Sequence, residues 1–148
     1  MGVSDDDGTQ IKAQTIFFTR TYDETLDLVK EARSYLAGPG QVAAKAMPAE
    51  ASFGYAAESL RLTTRLTESM SWLLFQRALQ EGEITLEESQ EEECHLQHMD
   101  VCLAEDTACD PRMLPEELQS LLERSERLYQ RLVRLDEQGK HAFMRAQL

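Results

Sequence analysis

The sequence predicts an all-α fold, an antiparallel three-helix bundle with a long acidic loop or short extra helix between helices 2 and 3. Three observations predict it. Apolar residues recur at alternating spacings of three and four in three separate segments, Gly and Pro punctuate the chain between them, and the middle segment is apolar on more sides than one neighbour can cover. Long helices with short separations favour antiparallel packing. At 148 residues the chain fits one domain with a single core. The expected layout is a disordered start over 1–10, one helical domain over 11–138 and a frayed end over 139–148.

The first segment runs from about Ile11 to Ala37, with Ile11, Phe18, Tyr22, Val29, Ala32 and Leu36 on one stripe and Phe17, Leu28 and Tyr35 beside it. Gly38-Pro39-Gly40 stops it, because Gly takes the left-handed terminating conformation and Pro cannot continue the ladder. The Ala-rich stretch to about Ser52 reads as a linker or one loose turn. From Glu58 to Leu79 there is neither Pro nor Gly. Leu62, Leu66, Met70 and Leu73 share one side of this helix, and Trp72-Leu-Leu-Phe75 surrounds its axis with apolar groups. Its Trp72 to Leu79 half is expected to be core, and its Arg61 to Thr67 half to keep a polar face. The helix ends at Gly82. A capping-box spacing, Thr85-Leu-Glu-Glu88, then allows a short helix as far as Met99. Pro115 suits the first position of a third helix. There Leu114, Leu118, Leu121, Ser125, Leu128, Leu132 and Leu135 form a seam to about Gln138, with Gly139 as the terminator.

Charge narrows the function. Lys and Arg total 15 against 27 acidic residues, a net charge of -12, so the field repels nucleic acid and anionic lipid. No apolar run reaches the length of a membrane span, and Met1-Gly-Val-Ser-Asp-Asp-Asp carries neither an export signal nor the myristoylation pattern. A cytoplasmic protein is expected. Three cysteines, an odd number in a reducing compartment, do not form a disulfide framework. Residues 81–110 hold eleven acidic side chains and no Lys or Arg, the composition of a solvated face or mobile loop.

Within that acidic stretch, Cys94, His98 and Cys102 would share a helical face at spacings of four, near His95 and Cys109. Thiolate and imidazole are zinc ligands, but the spacing matches neither paired CxxC knuckles nor a Cys2His2 finger. They are weak metal candidates, and a zinc- or thiol-based sensor is the alternative function they define. A solvated acidic loop with incidental thiols is the plainer reading. Neither GxSxG, HExxH, a P-loop nor GxGxxG occurs, so neither an enzyme nor a cofactor is expected. The remaining signal is basic. Arg124, Arg127, Arg131 and Arg134 step three, four and three along the third helix, and Arg61 and Arg65 make a shorter stripe on the second. Their plain reading is solubility with local pairs such as Glu123–Arg127 and Arg65–Glu68. Their sharper reading is a docking surface for an acidic protein, since Arg contacts carboxylates bidentately. A DNA-associated dimeric regulator is disfavoured by charge.

Tyr22-Asp-Glu-Thr-Leu-Asp-Leu-Val-Lys-Glu-Ala-Arg-Ser-Tyr-Leu36, Glu58-Ser-Leu-Arg-Leu-Thr-Thr-Arg-Leu-Thr67 with Trp72-Leu-Leu-Phe-Gln-Arg77, and Pro115-Glu-Glu-Leu118 with Glu123-Arg-Ser-Glu-Arg-Leu-Tyr129 resemble the RcdA family, regulators of CtrA degradation, also catalogued as DUF1465, of alphaproteobacteria. The resemblance implies a three-helix bundle without enzymatic activity, able to dimerise. It also implies an adaptor that works with CpdR and PopA to deliver CtrA and other substrates to the ClpXP protease. No catalytic residue carries over. The arginines inside the matching stretches, Arg61, Arg65, Arg124 and Arg127, together with Arg131, are the partner-binding candidates.

Overall fold

A computed structural model describes residues 3–103, 105–107 and 109–148, with side chains from Lys12 onward. The described residues contain five α-helices and no strand: α1 Val3–Ala37, α2 Pro39–Lys45, α3 Ala49–Gln80, α4 Met99–Cys102 and α5 Glu116–Ala146. Short 3-10 turns lie at Glu88–Gln90, Glu92–Cys94 and Pro111–Met113.

Several boundaries move from their expected places. Helical backbone begins at Val3 rather than near Ile11, while Met1 and Gly2 lie outside the described residues. The Ala-rich linker is largely helical, because Pro39 occupies the first turn of α2 and α3 starts at Ala49. Gly82 closes α3 in the left-handed region, with φ 75. Gly139 does not close α5. It keeps helical geometry, at a cost of about 1 kcal/mol relative to Ala, and the helix runs to Ala146.

The three long helices pack on one another, but not all antiparallel. Glu31 pairs with Arg124 and Glu24 with Arg131, so α1 and α5 run in opposite directions. Phe18 meets Trp72, and Tyr35 and Tyr55 share a core cluster, so α1 and α3 also oppose. By contrast Arg65 meets Ser125 and Trp72 meets Asp136, so α3 and α5 run in the same direction. A short turn would force reversal. Residues 81–115 are long enough to return along the molecule, and a helix as long as α3 spans only about 50 Å.

The core has two centres. Leu28, Ala32, Tyr35, Tyr55, Leu62, Leu66, Leu118, Leu121 and Leu128 form one, and Trp72, Leu73, Leu96, Cys102, Tyr129 and Leu132 the other. On α1 the buried positions are Thr21, Thr25, Leu28, Ala32 and Tyr35, whereas Tyr22 and Val29 are only half-buried. On α3 Ser69, not Met70, takes the buried place between Leu66 and Leu73, and Leu74 faces outward. The buried hydroxyls of Thr25 and Ser69 are satisfied within their own helices. Thr25 donates to the Thr21 carbonyl at 2.7 Å and Ser69 to that of Arg65 at 2.7 Å.

Candidate partner-binding site

The arginine stripe of α5 lies against acidic side chains of α1. Arg124 donates from both terminal nitrogens to the Glu31 carboxylate, at 2.7 and 2.6 Å, and Arg131 donates to Glu24 at 3.2 Å. The first contact is the bidentate geometry that suits guanidinium to carboxylate. Its hydrogen bond holds the Glu31 carboxyl below the usual range and raises Arg124. Arg127, between them, is exposed and has no ion pair among the described residues. These side chains border an open groove of about 510 Å³, with Arg20, Asp23 and Asp27 along the α1 edge. The ridge therefore alternates in sign, and α1 neutralises half of it. The within-helix pairs Glu123–Arg127 and Arg65–Glu68 are not among the ion pairs of the described residues.

The stripe on α3 separates into two roles. Arg61 stays near the surface, 3.8 Å from Glu58 and donating to the Asp106 carbonyl at 3.0 Å. Arg65 is only 4% exposed, so it is not a surface residue. Its guanidinium donates to the Cys102 carbonyl at 2.8 Å, the Leu122 carbonyl at 3.1 Å and the Ser125 hydroxyl at 3.4 Å, and burial pushes its pKa down. The long Arg stem let it reach carbonyl partners in two distant segments. The expected polar face of α3 loses this residue to the interior.

What Arg65 holds is the acidic connector, whose described residues are tied to the long helices at several points. Asp136 of α5, itself buried, accepts from the Trp72 indole Nε1 at 3.0 Å and from the Leu96 backbone N–H at 3.2 Å. It also lies 2.7 Å from His95 Nδ1, and His95 Nε2 lies 3.1 Å from the Gln90 carbonyl. Both ring nitrogens thus face oxygen atoms of the fold. Glu68 accepts from the Gln97 N–H at 3.1 Å, and the Tyr129 hydroxyl donates to the Gln97 carbonyl at 3.3 Å. Ser89, Cys94, Leu96 and Cys102 turn inward, while Glu87, Glu88, Glu91, Glu92 and Glu93 remain exposed. The capping box does form: Glu88 N–H donates to the Thr85 hydroxyl and Thr85 N–H to the Glu88 carboxylate. It nucleates one 3-10 turn instead of a helix to Met99, since Glu91 and His95 are extended.

That break also separates the metal candidates. Cys94 ends a 3-10 turn, His98 is left-handed with φ 58, and Cys102 is the buried last residue of α4, so the three do not share a helical face. No group of three or more His, Cys, Asp or Glu comes together among the described residues. The Cys94 thiol lies 3.4 Å from the Glu88 carbonyl, and burial raises the pKa of Cys94, Cys102 and Cys109. Burial thus favours the protonated, less reactive form of all three thiols. Asp136 and His95 were not legible as a pair. Ser89 lies in the same groove, but His95 Nε2 faces the Gln90 carbonyl and not that hydroxyl.

The fold and this surface define a class: a small all-helical protein whose long connector is pinned between two parallel helices, with a charged ridge on the third pairing. The sequence profile of the family described as "Protein of unknown function (DUF1465)" matches residues 9–147, and the chain belongs to that family. It is similar in structure to RcdA from Caulobacter crescentus CB15, with 41% sequence identity and a TM-score of 0.66 over 83% of this chain and 91% of that one. No curated protein matches it. No described helix is long and apolar enough to cross a membrane.

Proposed function

We propose that this chain is a cytoplasmic, non-enzymatic adaptor in regulated proteolysis, acting as a homodimer. It helps deliver cell-cycle regulators such as CtrA to the ClpXP protease, together with CpdR and PopA. The observation that carries this reading is the 41% identity to RcdA, whose name denotes a regulator of CtrA degradation, across most of both chains. Alternation of Arg124, Arg127 and Arg131 with Asp23, Glu24, Asp27 and Glu31 is compatible with it. A mixed ridge suits a folded protein surface better than a uniform phosphate backbone. The docking residues of this reading are Arg61, Arg124, Arg127 and Arg131, and Arg65 is left out because it is buried. Arg127 leads them, since its guanidinium is already exposed between two paired neighbours.

The mechanism is tethering. Simultaneous weak contacts with protease and substrate raise the local substrate concentration, to about millimolar for short tethers, and the adaptor makes or breaks no bond. Reconstituted degradation of labelled CtrA by ClpXP, with CpdR and PopA, tests it. Adding this chain should accelerate degradation, and Arg127→Glu should remove most of the gain. An unchanged rate on adding the wild-type chain refutes the reading.

A further inference from the structure

The outward face of α3 differs from the solvent face of α5. Between Phe53 and Leu74 every fully exposed position on α3 is uncharged: Phe53, Ala56, Leu60, Thr63, Thr67, Ser71 and Leu74. On α5 the exposed positions over a comparable length include Glu123, Glu126, Arg127, Arg134 and Glu137. Phe53 is 72% exposed, Leu60 64% and Leu74 49%. A scattered apolar residue needs no explanation, but these lie on one line. Phe53, Leu60, Thr67 and Leu74 recur every seven residues, the repeat by which two helices keep a seam facing each other. Beside the line, Thr63 donates to the Leu60 carbonyl at 2.9 Å and Thr64 to the same carbonyl at 2.8 Å, which lowers the cost of covering these hydroxyls.

We propose that this seam is where two copies of the chain associate, α3 against α3 about a twofold axis. The inference rests on the homodimeric state in the adaptor reading and assigns it a surface. Two arguments favour a second copy as the occupant. Each copy carries a charge of -12, so two copies approach with least repulsion along a strip that presents no carboxylate. A seven-residue repeat is also self-complementary, so the same patch on both chains satisfies an isologous contact. The arginine ridge, built from α1 and α5, is left open to other partners.

Sedimentation velocity on the full chain over a wide concentration range tests this, with circular dichroism to verify helix content. The wild-type chain should sediment with twice the chain mass, and added salt should strengthen association by screening the residual repulsion. The double variant Phe53→Glu, Leu60→Glu changes only exposed positions and should sediment as a folded monomer. Met144→Glu, an equally exposed apolar position on α5, should remain dimeric. A dimer that survives the double variant overturns the seam and leaves the dimeric state standing. A wild-type chain that is monomeric throughout overturns both, while the degradation assay still decides the adaptor role.

Discussion

Removing the Asp136 carboxylate should unfasten the connector from the helices. In Asp136→Ala the Trp72 indole, the Leu96 amide and the His95 ring lose their shared acceptor, from contacts of 3.0, 3.2 and 2.7 Å. A hydrogen bond to a charged acceptor contributes about 1.5 to 3 kcal/mol, and the three are not additive because one displacement of the segment releases them together. The expected loss is about 3 to 5 kcal/mol, the range found when one partner of a buried charged contact is deleted. Urea unfolding followed by the fluorescence of Trp72, the sole tryptophan, measures it directly. Asp136→Asn keeps one carbonyl acceptor and should lose less, about 1 to 3 kcal/mol. Exchange of the Leu96 amide should accelerate in both variants well before global unfolding. A loss below about 1 kcal/mol in Asp136→Ala would refute the clamp.

Trp72→Ala should cost about 3 to 5 kcal/mol, because the ring is only 3% exposed and packs in the second core centre. Urea unfolding by circular dichroism measures it, and a cost under about 1 kcal/mol would contradict its core role. Arg124 lowers the Glu31 pKa, so the stabilisation is present above the carboxyl's unfolded value of about 4.5 and is lost as pH falls through the depressed folded value. Both side chains are partly exposed, so Arg124→Ala should flatten this acid limb by no more than about 1 kcal/mol. Alkylation of the native protein should leave Cys102 unmodified while Cys109, half-buried, reacts, because burial keeps the Cys102 thiol covered and protonated. Mass spectrometry after brief iodoacetamide treatment reads the order, and prompt Cys102 labelling would contradict the packing of α4.

The apolar seam of α5 was legible because its leucines needed only a helical period, and Leu118, Leu121, Leu128 and Leu132 are all buried. The fully covered Thr25, Ser69 and Ser125 were not, because short hydroxyls read as polar. Each bonds a carbonyl of its own helix and so behaves as a small core residue. The arginine ridge was visible as spacing, but its partners were not. Local reasoning finds pairs three or four residues apart, whereas Arg124 and Glu31 are brought together by helix packing. Arg65 matched Arg61 in sequence and differs only in facing the return path of the connector, a direction no single-helix pattern contains. Asp136, next to Leu135 near the expected end of a helix, carries no signal of its own in the sequence, because two of its partners, His95 and the Leu96 amide, come from the distant connector.

The parallel course of α3 and α5 and the order of the acidic connector are one fact seen twice. A chain that leaves α3 at Gln80 and must begin α5 beside the start of α3 has to travel back along the molecule. Residues 81–110 of that path carry no Lys or Arg and cannot hold themselves there by pairing their own charges. The helices do it instead, and they grip largely the backbone: Arg61 and Arg65 take carbonyls, Tyr129 takes the Gln97 carbonyl, and Glu68 and Asp136 take amides. Because the grip spares the connector's side chains, Glu91, Glu92 and Glu93 stay in water on a fixed frame. An acidic surface is thereby displayed in order without being neutralised, on the same molecule whose α1 and α5 present a ridge of alternating sign. Binding through either surface then involves little ordering of the backbone, the condition under which weak electrostatic contacts retain most of their worth.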